Sequence, residues 1–255
     1  MDWHRELSYA LSRATSHERH SRKLGQLKTS LANLLLHNHC LLCGASASAL
    51  LCSPCIEELP LNTNSCQRCD LPLVNGVLCG ECLTRSPSFE RAICAFEYNA
   101  TISHLINRLK HRNTPSVGHF LADFLAEKIR LEIAQIGALD LLVPVPLYWR
   151  DQRRRGYNQA AVITAQLSQK LQIPVIHALS KPRPRAHQQQ LSRAQRLRDI
   201  RGVFTTTETL SGVHVGLVDD VITTGATVEA ISSQLIAAGA ASVTVFALAR
   251  TPKDR

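Results

Sequence analysis

From Val213 to Val218 the chain is largely apolar, and it then places two carboxylates, Asp219 and Asp220, side by side before the small turn Thr223-Thr224-Gly225-Ala226-Thr227. The apolar run reads as a buried parallel strand. After the turn, Val228, Ile231 and Leu235 follow helical spacing, and Gly239 ends the helix. Strand, tight turn and helix N-terminus together make an anion site, because the first N–H groups of a helix have no internal partner and its dipole is positive there. Two carboxylates beside such a site would repel a simple anion. They suit a ligand that carries both a phosphate and sugar hydroxyls, which carboxylates accept from, and a ribose 5-phosphate has both.

The remainder must supply a core and counter-charge. With 255 residues, 45% of them hydrophobic and few aromatic, the chain can build an aliphatic α/β core plus an appendage. Residues 1–30 carry charges throughout and form no apolar leader, and no apolar run is long enough to span a bilayer, so a cytoplasmic protein is expected. The net charge of +9 is concentrated in 150–201, where twelve Arg or Lys stand against Asp151 and Asp199. Such a concentration, mostly Arg, implies a polyanionic ligand: a pyrophosphate or a nucleic-acid backbone.

Residues 1–38 read as two short amphipathic helices, one carrying Trp3, Leu7 and Leu11 and the other Leu27, Leu31, Leu34 and Leu35. Their apolar faces dock either on this chain or on a partner. Residues 39–86 form a second region with four Cys-x-x-Cys pairs inside 43 residues: Cys40/Cys43, Cys52/Cys55, Cys66/Cys69 and Cys79/Cys82. Thiols stay reduced in a cytoplasm, and two such knuckles complete one zinc tetrahedron. Two structural zinc ions are expected, one on Cys40, Cys43, Cys52 and Cys55 and one on Cys66, Cys69, Cys79 and Cys82, with a cross-braced pairing as the alternative. Cys94, in the apolar segment Ala92–Phe96, reads as a core residue.

Residues 87–255 alternate strands and helices, which predicts a parallel sheet with helices on both faces. A strand at Ala92–Tyr98 precedes a helix with Ile102, Leu105, Ile106 and Leu109, the basic turn Lys110-His111-Arg112, and a longer helix through Phe120–Ile129. Asp140–Pro146 reads as a strand, followed by a loop bearing Arg150, Arg153, Arg154 and Arg155, a helix opened by Tyr157-Asn158-Gln159, and a short strand at Pro174–Ile176. Lys181–Arg201 reads as a mobile loop and Ser242–Leu248 as the closing strand. Ligands in such sheets sit beyond the carboxyl ends of the strands, where these loops can converge.

The ten residues from Val218 to Thr227 resemble the phosphoribosyl-pyrophosphate binding motif of type I phosphoribosyltransferases. The cysteine ribbon, Leu109-Lys110, Val143-Pro-Val-Pro146, Arg155-Gly-Tyr-Asn-Gln159, Gln190-Leu-Ser-Arg193, Arg196, Arg198 and Asp219-Asp220 together resemble the competence protein F (ComF/GntX) family over about residues 35–250. That resemblance implies a type I phosphoribosyltransferase-like domain behind a double zinc ribbon. It also implies a role in natural transformation, handling incoming single-stranded DNA on the cytoplasmic side, with a DNA-translocating helicase as a family-suggested partner. Asp199 stands where the family usually has Asn, and it could weaken a phosphate contact or pair with a neighbouring Arg.

Two functions follow as expectations. A DNA-handling protein would use Arg153, Arg154, Arg155, Arg193, Arg196 and Arg198 as a basic groove, with Tyr148, Trp149 and Tyr157 as stacking candidates. A phosphoribosyltransferase would hold the ribose hydroxyls on Asp219 and Asp220 and the 5-phosphate on Thr223 to Thr227. Lys110, Arg153 and Arg155, with Mg²⁺, would neutralise the departing pyrophosphate. No hood for an acceptor base is legible, which ranks transfer second.

Overall fold

A computed structural model describes residues 39–111, 114–181, 205–206 and 209–253. The expected helices of residues 1–38, and Arg193, Arg196, Arg198 and Asp199, lie outside the described residues. The chain divides into two compact units, Met1–Leu59 and Pro60–Arg255. In the first unit, α1 (Ser53–Glu57) follows the Cys52 knuckle.

The second unit begins with the other cysteine knuckles and α2 (Gly80–Thr84), then β1 (Arg91–Glu97), α3 (Ala100–His111), α4 (Pro115–Ile136) and β2 (Leu141–Pro144). There follow α5 (Trp149–Arg155), α6 (Gln159–Leu171), a small antiparallel pair of β3 (Leu179–Ser180) and β4 (Thr205–Thr206), β5 (His214–Ile222), α7 (Ala226–Ala237) and β6 (Ser242–Arg250).

The main sheet has the order β1-β6-β5-β2, and every pairing in it is parallel. Val175 bridges Leu142 at its edge, the remnant of the expected strand at 174–176. Crossovers from β1 to β2 and from β5 to β6 run in opposite directions across the sheet. Right-handedness therefore puts α4 and α6 on one face and α7 on the other. Side chains alternate accordingly. Val215 and Leu217 join Val228, Ile231 and Leu235 of α7 in one core cluster, whereas Gly216 faces Leu142 and Phe246 on the opposite side. Cys94 is fully buried, as a core residue should be.

Three expectations are corrected. The strand carrying the two acids continues through them to Ile222, because β6 supplies backbone partners as far as Arg250. Lys110 and His111 belong to the last turn of α3, where cations complement the helix dipole, and do not form a separate basic turn. The segment bearing Arg153, Arg154 and Arg155 is a short helix rather than a loop, closed by Gly156 at φ 84° and supported by an Arg154–Asp151 ion pair of 3.1 Å.

A Cβ at Gly216 would lie 2.6 Å from Leu142 Cδ2 and 2.8 Å from the Phe246 ring. Gly216→Ala should therefore destabilise the domain by about 1–3 kcal/mol through overpacking. Urea unfolding measures this, and an unchanged midpoint would contradict the packing described.

Candidate functional site

Asp219 and Asp220 sit near the carboxyl end of β5, in the middle of the sheet. Asp219 Oδ1 accepts from the Asp220 N–H at 2.8 Å, and Lys110 Nζ pairs with Asp220 Oδ2 at 2.9 Å. Burial pushes the Asp219 carboxyl up to about 7, and the neighbouring Asp220 charge adds to this. The Asp220 N–H, Lys110 and Lys181 pull the other way. Beyond Ile222 the chain turns through Gly225, at φ 77°, into α7. The Ala226 N–H meets Thr224 Oγ1 at a long 3.4 Å. Thr223, Thr224, Gly225, Ala226 and Thr227 thus surround the N-terminus of a twelve-residue helix, one strand-end away from the two acids.

The turn between α5 and α6 is tied to the same end of the sheet. Tyr157 Oη donates to the carbonyl of Leu109, the residue before Lys110, and Asn158 Nδ2 donates to the Val145 carbonyl at 2.9 Å. Val145 N–H in turn donates to the Val218 carbonyl, next to Asp219. Arg155 Nη1 bonds Gln159 Oε1 at 3.1 Å, while Arg153 and Arg150 lie over the Trp149 ring at 5.0 and 5.2 Å. The structure therefore brings Lys110, Asp219, Asp220 and the threonine turn together, and holds Arg153, Arg154 and Arg155 on the adjoining helix. Of the three aromatic stacking candidates, Tyr148 is buried and Tyr157 is engaged by Leu109. Trp149 is 47% exposed and backed by two guanidinium groups.

The cysteines group consecutively, not cross-braced. Sulfurs of Cys40, Cys43, Cys52 and Cys55 converge to within 4.8 Å of one another, as do those of Cys66, Cys69, Cys79 and Cys82. The pairs Cys43–Cys52 at 3.6 Å and Cys69–Cys79 at 3.5 Å lie near the edge of about 3.8 Å that a zinc–sulfur tetrahedron requires. Within each set one thiol is primed. Burial raises Cys40 and Cys66, but backbone N–H donors outweigh it and bring them to about 6 and about 7. Burial raises Cys69 to about 11, and Cys55 is raised chiefly by Cys52. Four crowded thiols cannot all ionise without a cation, and zinc supplies it.

Several residues of this site carry no local sequence signal. Arg250, 6% exposed at the end of β6, donates from Nη1 to the carbonyls of Ile222 at 3.0 Å and of Thr223, and from Nε to the Cys69 carbonyl at 3.2 Å. Glu229 of α7 accepts from Ser88 N–H and Oγ at 2.9 and 3.0 Å. Lys128, buried, donates to the carbonyls of Asn62 and Cys94, each at 2.8 Å, and to Asp70 Oδ2 at 3.3 Å. A cavity of 390 Å³ lies where these elements meet, lined by Cys69, Cys82, Phe89, Thr224, Gly225 and Glu229 among others.

Residues 31–83 match the family model of the double zinc ribbon domain, which together with the two sulfur sets supports structural zinc. The chain is 32% identical over 205 residues to the DNA utilization protein YhgH of Salmonella typhimurium, covering 79% of this chain and 90% of that protein. It is 33% identical over 207 residues to competence protein F of Haemophilus influenzae, covering 78% and 90% respectively. Similar solved structures include a purine phosphoribosyltransferase from Pyrococcus horikoshii Ot3, 19% identical over 55% of this chain and 86% of that one, with a TM-score of 0.32.

The raised Asp219 carboxyl has a consequence for stability. Its folded value of about 7 exceeds the ordinary 3.8, so the folded chain holds the proton more tightly than the unfolded one. The stability this confers is present at low pH and is lost as pH rises through about 7. Asp219→Asn removes the penalty and should stabilise the ligand-free protein by about 1–3 kcal/mol at pH 8 relative to wild type, with the gain vanishing near pH 4. Denaturant unfolding at both pH values tests this, and an Asn variant less stable at pH 8 would refute the assigned environment.

Proposed function

The chain belongs to the family of competence protein F and the YhgH DNA utilization proteins, and from that membership we propose a competence-type accessory protein that handles single-stranded DNA in the cytoplasm. In this reading its sheet domain binds phosphoribosyl pyrophosphate or a related phosphate. The observation that carries the ligand is the acid pair at the end of β5 with Lys110 on Asp220 and the threonine turn immediately beyond.

Each group has a defined task. Asp219 and Asp220 accept from the ribose hydroxyls. The hydroxyls of Thr223, Thr224 and Thr227 and the N–H groups opening α7, from Gly225 and Ala226 onward, donate to the 5-phosphate. Lys110 exchanges its Asp220 partner for the diphosphate, assisted by Arg155. Mg²⁺, brought in with the ligand and held beside Asp219 and Asp220, would offset the negative charge of the diphosphate. Exposed Trp149, flanked by Arg150 and Arg153, supports the DNA role, since a base can stack on the ring while the guanidinium groups meet phosphates. Among the described residues no helix is long and apolar enough to cross a membrane. A DNA-translocating helicase is a partner that the family suggests for this role.

A second reading is transfer of ribose 5-phosphate to a nitrogen nucleophile. Lys110 favours it, because a cation already held at the acid pair can stabilise pyrophosphate as it departs. Pyrophosphate release with a panel of bases separates transfer from binding alone.

Two outcomes are expected. Replacing both Asp219 and Asp220 by Ala should abolish calorimetric binding of phosphoribosyl pyrophosphate, and an unchanged titration would refute the site. Oligonucleotide affinity should fall steeply with salt, and Trp149→Ala should cost about 1–3 kcal/mol of it. Absence of binding even at low salt would eliminate the DNA role.

A further inference from the structure

We propose that Arg250 is the positioning residue of the phosphate turn, and that it works by fastening the turn to the second cysteine knuckle. Metal loading of Cys66, Cys69, Cys79 and Cys82 then governs how firmly the turn is held. The link to ligand affinity rests on the function proposed above, whereas the link between knuckle and turn does not.

The geometry is specific. One guanidinium spans two segments more than 150 residues apart in sequence, Cys69 on one side and Ile222–Thr223 on the other. On the knuckle side, its Nε meets the carbonyl of a zinc-ligating residue. On the turn side, its Nη1 meets the two carbonyls that lead into Thr224 and Gly225. Ile222 O also accepts from the Thr251 N–H at 3.0 Å, so the exit of β5 is clamped to the exit of β6. Arg250 is itself only 6% exposed, so its donors are satisfied by these carbonyls rather than by water, and their loss leaves a gap between knuckle and turn. Arginine suits the task because its planar fork donates in several fixed directions from one rigid group, and a lysine ammonium cannot reach both sides at once.

Two further sets of bonds make the knuckle a rigid support. Asp70, directly after Cys69 and at φ 55°, is fixed by Ser65, the Cys94 N–H and Lys128. Ser88, a few residues past Cys82, is held by both oxygens of Glu229, which lies in the first turn of α7. The turn therefore rests on the second cysteine knuckle at the end of β5 and on Ser88, just past that knuckle, at the start of α7. Loss of metal removes the ion that the four sulfurs share and lets the Cys69 carbonyl move away from Arg250.

Hydrogen–deuterium exchange of amides 223–228 in the full zinc-loaded chain reads the turn without any ligand. Exchange there should quicken about tenfold or more in Arg250→Met and in Cys69→Ser. It should stay unchanged in Cys43→Ser, which disturbs only the other sulfur set. Arg250→Lys, which keeps charge and the loop carbonyl contacts, should recover part of the protection. Zinc content of the two Arg250 variants should equal that of wild type. Calorimetry with phosphoribosyl pyrophosphate should show about tenfold weaker binding for Arg250→Met, a shift of one decade in Kd. Unchanged exchange in Arg250→Met overturns the proposal, as does equal loosening of the turn in Cys43→Ser. If wild type fails to bind phosphoribosyl pyrophosphate while the exchange pattern holds, the ligand reading falls and the fastening stands. If Arg250→Met binds as wild type does and the Asp219/Asp220 double variant does not, the ligand reading stands and the fastening falls.

Discussion

Two carboxylates on consecutive residues of a central strand cannot both ionise in partial burial without cations close by, and much of the second unit is arranged around that constraint. Lys110 reaches Asp220 from the last turn of α3, Lys181 acts on Asp219 from beyond β3, and Asp219 is still left with a carboxyl raised to about 7. A strand built for stability alone would not keep such a pair. The cost makes sense for a site whose ligand brings hydroxyl donors and a divalent cation with it, because ligand binding then relieves what folding left unbalanced.

Fixed geometry matters as much as charge. The phosphate turn has no side-chain cap of its own at Gly225, so its rigidity comes from neighbours. Arg250 holds the carbonyls before it, Glu229 ties the helix after it to Ser88, and Lys128 ties the adjacent knuckle to β1 through Cys94 and Asp70. The cysteine knuckle of the second unit is therefore more than an appended ribbon. It serves as a wall of the sheet domain, held by charged groups, of which Arg250 and Lys128 are buried and tolerable there because they are paired with carbonyls and a carboxylate.

The same arrangement separates what the site holds from what the protein is for. Binding a ribose phosphate needs the acid pair and the helix N-terminus, which the fold supplies within one strand–turn–helix unit. Handling DNA needs an extended basic surface with a flat ring, and α5 presents one beside that unit, with Trp149 outward and Tyr148 inward. In the proposed reading the two surfaces serve one purpose, and their adjacency makes a shared or competing polyanion physically reasonable.

Much of this is legible in the order of the residues alone. Eight cysteines at knuckle spacing, a strand carrying Asp219-Asp220, and the helical spacing of Val228, Ile231 and Leu235 are local patterns, and local patterns are set by the chain itself. The parallel order of the sheet follows from alternation and right-handed crossovers. Where short-range reading errs, tertiary contacts overrule it: β6 draws the strand past the acids to Ile222, and α5 forms where only a loop is expected. Arg250, Lys128 and Glu229 are invisible as site residues, since nothing around them in sequence distinguishes a buried clamp from an ordinary surface charge. The sequence by itself determined which chemistry is present, because ligand type follows from residue type and spacing. Only the tertiary structure decided which charges are buried and what they hold, because that depends on partners brought together from distant parts of the chain.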